Sequence, residues 1–280
     1  MAIMCLIESE WAIKVKTTHK KVSGLNKQRY LEMMDISEKE TLRFKSAFQM
    51  IPSGFHSLLD VGCGEGVFLN NFVNNDIKKF ALDQDFLALK GAQSPKSLAS
   101  IDALPFAERA VDVVTCMEVI EHLPYDLYEL ALKELSRVAK RYILITVPYK
   151  QNLQLMLVQC PFCFSRFNPY LHVRSFDYDK VSQLFSIFGW VCKKIELISK
   201  KYEYYFPLQK YYKLISVRDM PANVKCPVCR HKKTSVMNTN GISSAEKKST
   251  LAFIKTTVLN IFPKKESYSW IAGLYERECG

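Results

Sequence analysis

The chain has 280 residues, 48% hydrophobic and 24% charged, which supplies enough apolar content for a buried core and excludes a disordered polyelectrolyte. No run of about 18 apolar residues occurs, so no transmembrane helix is expected. The net charge of +11 lies in one half: residues 1–150 hold 19 Lys and Arg against 19 Asp and Glu, whereas residues 151–280 hold 20 against 9.

Glu8 and Glu10 interrupt the apolar start before any cleavage signal, so no secretory leader is read and a cytoplasmic protein is expected. The basic second half suits an anionic small molecule, a phosphorylated lipid surface or RNA, or else is a solvated face that aids solubility. Residues 1–30 show no clear period, and Glu38–Met50 has helical spacing. Ser57–Val61 is an apolar run that reads as a buried strand, followed by a helix over 66–74 and a second strand over 79–82. A short third strand is expected at 100–101, stopped by Pro105, and a fourth at 111–116. A helix over 127–139 follows, with Leu127, Leu130, Ala131, Leu135 and Val138 on one side, then a fifth strand over 142–147. Beyond it come a helix over 178–188 ending at Gly189, a sixth strand over 191–198 and a seventh over 269–275. Strands alternating with helices imply an α/β fold with a parallel, Rossmann-like sheet. Three parts are expected: an N-terminal helical extension (1–54), the core (55–150), and a half (151–280) that completes the sheet and carries a cysteine-containing insertion.

The run Leu58-Leu59-Asp60-Val61-Gly62-Cys63-Gly64-Glu65-Gly66 is a strand, a glycine turn and a helix start. Glycines let the backbone turn tightly and let a ligand approach it, and amides at the next helix start favour an anion. Val67 stands where a dinucleotide fingerprint needs its third glycine, which disfavours a pyrophosphate cofactor. Asp83 ends the second strand about 20 residues on, placed to accept two ribose hydroxyls. Asp102 and Ala103 could meet an adenine ring through a carboxylate oxygen and a backbone amide. Either aspartate alone could equally be a helix N-cap.

Together with Val111-Asp112-Val113-Val114 and Glu118-Val119-Ile120-Glu121-His122-Leu123, these blocks resemble class I S-adenosylmethionine-dependent methyltransferases of the small-molecule type. The resemblance covers about residues 55–149, and Trp270 to Tyr275 is similar to the closing antiparallel strand of that fold. It implies S-adenosylmethionine as cofactor, with Asp60, Gly62, Cys63, Gly64 and Gly66 around the methionine portion, Asp83 on the ribose, and Asp102 with Ala103 on the adenine. Cys116 and Glu118 would line the methyl-transfer pocket. Asp85 follows Asp83 so closely that it competes for the ribose role.

Methyl transfer is an in-line displacement, so alignment is the main demand, and an oxygen nucleophile also needs a base. His122 and His172 are the candidate catalytic histidines, with a structural role as the alternative for each; Arg174 is the candidate substrate contact. The pairs Cys160-Pro161-Phe162-Cys163 and Cys226-Pro227-Val228-Cys229 have zinc-knuckle spacing and together offer four thiolates for a closed structural zinc site. Sixty-two residues separate the pairs, so the fold must bring them together. Phe164 and Arg230 stand where a glycine often follows such a pair, His231 is an alternative ligand, and two pairs of free thiols are the other reading. A redox role does not fit, because neither pair opens a helix after a first strand.

The first pair, followed by Phe167-Asn168-Pro169 and His172-Val173-Arg174-Ser175-Phe176, resembles methyltransferases of polysaccharide and sugar biosynthesis. A small-molecule, sugar or glycan acceptor, anionic in character, is therefore expected. The alternatives are an RNA methyltransferase, which the basic half favours but no recognisable nucleic-acid module supports, and a non-catalytic S-adenosylmethionine-binding scaffold. The Tyr- and Lys-rich stretch 200–213 reads as strand and loop beside the cysteines, with base stacking or peripheral membrane contact as alternatives. Residues 232–250 read as a polar loop and 251–262 as an amphipathic helix.

Overall fold

The computed structural model describes residues 38–72, 76–204, 218–222, 224–232 and 264–278. Its elements begin with α1 (Glu38–Met50), β1 (Ser57–Val61), α2 (Val67–Asn70), β2 (Lys78–Asp83), β3 (Lys96–Leu98) and β4 (Val111–Met117). They continue with α3 (Tyr125–Val138), β5 (Ala139–Pro148), β6 (Val158–Gln159), β7 (Arg166–Phe167) and α4 (Tyr178–Gln183). Last come β8 (Trp190–Tyr204), β9 (Arg218–Asp219) and β10 (Lys264–Arg277). Seven strands make one sheet in the order β3-β2-β1-β4-β5-β10-β8. β1 to β5 pair in parallel, and β10 runs antiparallel to both β5 and β8, so the Rossmann-like sheet with its antiparallel closing strand is present.

The centre of the sheet is continuously apolar because both faces are covered. Every residue of β4 is buried. On one face α3 buries Ala131, Leu132, Leu135 and Val138, a helical stripe that meets Val114, Ile143 and Ile145. On the other face Ala47 and Met50 of α1 join Leu58, Val113 and Leu144, and the Phe48 ring stacks on Phe68 at 4.4 Å. Burial of one such side chain contributes roughly 1.5–3 kcal/mol, so α1 is held by its stripe rather than by its sequence propensity. Asp112, at the start of β4, accepts the amides of His56 (2.8 Å) and Ser57 (3.2 Å) and so pins β1 beside β4.

Four expected boundaries are corrected. The third strand is Lys96–Leu98, not 100–101: the Ser100 hydroxyl bonds Asp102 and the Ala103 amide donates to the Ser100 carbonyl, so this segment is a turn. Of the helix expected over 66–74, the described residues are helical at Val67–Asn70, where the Asn71 side chain bonds the Val67 carbonyl, and 73–74 lie outside the described residues. The helix over 178–188 splits into α4 and a 3-10 turn at Ser186–Phe188. β8 and β10 outrun the expected strands because they pair with each other over nearly their whole length, which no single-strand pattern shows. The stretch 251–262 and most of 232–250 lie outside the described residues, as does 205–213 of the aromatic stretch.

A second, three-stranded sheet, β7-β6-β9, carries the cysteine pairs. Its own small core is Val158, Cys160, Phe167, Met220 and Cys226. The cysteine-containing insertion is thus a separate layer of packing rooted beyond β5.

Candidate active site

The glycine turn folds under β2. The amides of Gly62 and Cys63 both donate to the Leu82 carbonyl (2.8 and 3.0 Å), and the Gly64 amide donates to Asp83 Oδ2 (2.8 Å). Gly62 and Gly66 both have φ +72°. A Cβ at Gly62 would lie 2.3 Å from Val119, and one at Gly66 2.8 Å from the Ala92 backbone, so both positions require glycine. A Cβ at Gly64 would meet nothing within 4 Å, which leaves that amide's surroundings open. Asp83 Oδ1 accepts the Asp85 amide, whereas Asp85 turns away and accepts the Leu87 amide at the start of a 3-10 turn. Asp102 and Ala103 sit in the turn after β3.

Asp60 points into the sheet interior at 2% exposure, and its Oδ1 accepts the Thr115 hydroxyl at 2.7 Å. Burial pushes its carboxyl up to about 7; the Thr115 hydrogen bond and the Arg43 charge oppose that rise. Burial likewise pushes the Cys63 thiol up to about 12 and the Cys116 thiol well above its usual range, so neither is a nucleophile at neutral pH.

The end of β4 gathers acid. Glu118 takes φ +57°, its amide bonds the Thr146 carbonyl, and Trp270 Nε1 of β10 donates to its Oε2 at 2.8 Å. Among the described residues Glu118 Oε1 is buried without a hydrogen-bond partner, and so are both carboxylate oxygens of Glu121. Burial raises both carboxyl groups, and Arg43 pulls them back. Arg43 is itself buried, its guanidinium 4.9 Å from the Phe44 ring and 5.5 Å from the Trp270 ring. Its charge lowers Asp60, Glu118 and Glu121 from α1, although among the described residues no ion pair within 4.0 Å joins it to any of them. Sequence reasoning missed it, although 43, 47 and 50 fall on one helical face and a charge on that stripe was the available signal.

His172 stands against the same strand end. Its ring packs edge-on to His122 at 4.6 Å, and its Nδ1 is 2.5 Å from Gln151 Oε1. Burial, then the neighbouring His122, lowers His172 to about 4, and burial lowers His122 as well, so both imidazoles are neutral near pH 7. The Val173 amide donates to the Glu121 carbonyl at 2.9 Å. The first limb of the insertion thus leaves β5 at Gln151 and returns at residues 172–173 against the loop after β4, and the second limb, with β9 and Cys226, follows β8. Arg174 is brought to the same edge but turned onto the protein: Nη1 donates to the carbonyls of Ile120 (2.9 Å) and Leu123, and the guanidinium covers the Tyr128 ring at 3.9 Å.

The four cysteines converge. Cys160 and Cys229 are 3.7 Å apart and Cys163 and Cys226 3.6 Å, with all four sulfurs within 4.8 Å of one another. Tetrahedral thiolates at about 2.3 Å from a zinc stand about 3.8 Å apart, so the set fits that ion. The two turns repeat one geometry: the Phe164 amide returns to the Cys160 carbonyl and the Arg230 amide to the Cys226 carbonyl, both 3.0 Å. Phe164 and Arg230, at the places where glycine often stands, take φ +57° and +63°. His231 lies outside the sulfur cluster, stacked on Phe162 at 5.6 Å.

Residues 59–143 match the methyltransferase domain family. An uncharacterized protein of Methanocaldococcus jannaschii is 29% identical over 55% of this chain and 69% of its own length. The ubiquinone biosynthesis O-methyltransferase of Albidiferax ferrireducens is 29% identical over 33% of this chain and 41% of its own, so the match spans less than half of that relative. A SAM-dependent methyltransferase from Archaeoglobus fulgidus shares the fold with TM-score 0.52 and 17% identity, covering 89% of this chain and all of that one. The domain match and these likenesses support a class I, S-adenosylmethionine-dependent methyltransferase. Among the described residues no helix is long and apolar enough to cross a membrane.

Proposed function

We propose that the chain transfers the methyl group of S-adenosylmethionine to an oxygen of a small anionic sugar- or glycan-type acceptor. The observation that carries the reading is the Gly64–Asp83 hydrogen bond beside an open glycine turn. It holds the Asp83 carboxylate against the glycine turn, where its remaining lone pairs can accept a ribose, while Asp85 is turned towards the following 3-10 turn. Asp60 serves the methionine end: a carboxyl held near 7 ionises readily when the cofactor's ammonium arrives, so binding supplies the missing counter-charge. Gly62, Cys63 and Gly66 close that end, Asp102 and Ala103 take the adenine, and Cys116 and Glu118 back the methyl group.

The acceptor enters where the insertion touches β4. His122 and His172 are neutral there, the state needed either to take a proton or to bind an electrophile. The O-methyltransferase relative supports an oxygen acceptor. Arg174 holds the 120–123 loop through Nη1, which donates to the carbonyls of Ile120 and Leu123, and its buried Nη2, without a partner among the described residues, remains the donor for an acceptor. We assign one structural zinc to Cys160, Cys163, Cys226 and Cys229; it stabilises the insertion that forms the acceptor side and takes no part in the reaction. The core is 55–150, the acceptor side belongs to 151–280, and the 1–54 extension contributes Arg43.

Calorimetry tests the assignment. S-adenosylmethionine binds, NADH does not, and Asp83→Ala weakens binding by the roughly 1–3 kcal/mol of unsatisfied buried hydroxyls. Undiminished affinity in that variant removes the reading. Titrating bulk RNA against salt tests the acceptor class: six to ten phosphate contacts cost about three to five orders of magnitude between 50 and 200 mM. Weak, shallow binding is expected, and tight binding with that slope plus methyl incorporation into RNA overturns the small acceptor.

A further inference from the structure

Glu121 is fully buried, and among the described residues neither of its oxygens has a hydrogen-bond partner. A carboxylate so placed is strongly disfavoured unless a cation is brought to it. His122 Nε2 stands 3.9 Å from Glu121 Oε1, beyond hydrogen-bond length. One donor atom from each of Glu121, His122 and His172 lies within 4.8 Å of the others. Donors at about 2.1 Å from one ion stand about 3–3.5 Å apart, which a small rotation of the partly exposed His122 ring supplies. The remaining nitrogen of His172 is already oriented: Nδ1 meets Gln151 Oε1, the carbonyl partner that a metal-bound imidazole ordinarily has on its far side.

We propose that Glu121, His122 and His172 hold a divalent transition-metal ion at the acceptor side of the site, separate from the four cysteines. Two imidazoles and one carboxylate leave coordination positions open, in contrast to the closed thiolate set. Resting on the methyltransferase reading, the ligand for those positions is an acceptor with adjacent oxygen donors, such as a vicinal diol or a hydroxyl beside a carboxylate. The ion would orient that acceptor and acidify the hydroxyl to be methylated. Gln151 is then a positioning residue, acting through His172.

Cobalt(II) is the probe, added to the full chain as isolated with its cysteine site loaded. One equivalent binds, giving visible d–d absorption without a thiolate charge-transfer band. Glu121→Gln, which keeps the shape of the buried side chain, and His172→Ala, at a half-buried position, each weaken this binding at least tenfold. Gln151→Ala weakens it about 10–100-fold without removing a ligand. Absent binding in the wild type, a thiolate band alone, or undiminished binding in both ligand variants overturns the site. Calorimetry with S-adenosylmethionine on the same samples keeps the two readings apart. Cobalt binding without cofactor binding sinks the methyltransferase reading and leaves the ion site; cofactor binding without cobalt binding does the reverse.

Discussion

Two clusters of metal-type side chains lie beyond the C-terminal ends of the parallel strands, and they are built in opposite ways. The cysteine cluster is made of two copies of one local turn, each with its pair of thiols three residues apart and its own backbone hydrogen bond. Only the meeting of the two turns needs the fold. The Glu121, His122 and His172 cluster has no local repeat. It joins the loop after β4 to the returning limb of the insertion, and its charge balance is set by burial, then by the neighbouring Glu118, with a smaller contribution from Arg43 of a third element, α1. A local cluster tolerates its neighbours' errors, whereas an assembled one fails when any one of its contributors is lost.

That contrast can be broken first at the cysteines. Structural zinc sites bind with on the order of 10 kcal/mol, so chelation or Cys226→Ser should unfold the insertion while the seven-stranded core persists. Elemental analysis finding about one zinc per chain at the four thiols, and limited proteolysis confined to the insertion after chelation, are the expected results. Protein prepared without chelator that carries no zinc removes the local half of the comparison.

Arg43→Met tests the assembled half. With no close ion pair to break, loss of a buried charge acting at longer range is expected to cost roughly 1–3 kcal/mol. Urea denaturation should show a loss of that order at pH 8. A smaller loss at pH 5.5 is expected, because Asp60, held up to about 7, is then mostly protonated and needs less counter-charge. A loss under about 1 kcal/mol at pH 8 would show that the carboxyl groups are balanced elsewhere.

Asp60 also sets a pH dependence of its own. Its folded value is raised, so the folded state keeps a proton that the unfolded chain releases above about 4. Its contribution to stability is present below pH 4 and is lost as pH rises to about 7. Asp60→Asn should flatten that decline and raise the stability of the cofactor-free protein at pH 8 by on the order of 1–4 kcal/mol, while weakening S-adenosylmethionine binding. Denaturation midpoints at pH 5 and pH 8 that move in parallel for wild type and variant would contradict this.

The smallest effect belongs to the knuckle turns. Arg230 is exposed and sits at φ +63°, a conformation that disfavours a side chain by roughly 1 kcal/mol. Arg230→Gly should therefore slow zinc loss to a competing chelator by a few-fold. Faster loss would mean that the side chain contributes more than its backbone costs.

Legibility followed the same division. The glycine turn at Gly62 and Gly64, the strand-end position of Asp83 and the paired cysteine turns were readable as local structure, because glycine, a carboxylate at a strand end and paired thiols have local consequences fixed by backbone geometry. The parallel, Rossmann-like character of the first five strands followed from alternating hydrophobic periods, whereas their order, β3-β2-β1-β4-β5, came only from the structure. The third strand was misplaced because Ser100 and Asp102 satisfy each other in a turn, a competition that strand patterning ignores. Arg43 beside Asp60, the inward turn of Arg174, Trp270 on Glu118, and Gln151 behind His172 join residues 17, 51, 152 and 21 positions apart in sequence or more. The sequence alone determined which backbone turns and which chemical groups exist; tertiary structure alone decided which buried charges share a space. Burial raises electrostatic interactions severalfold, and only packing decides what is buried with what.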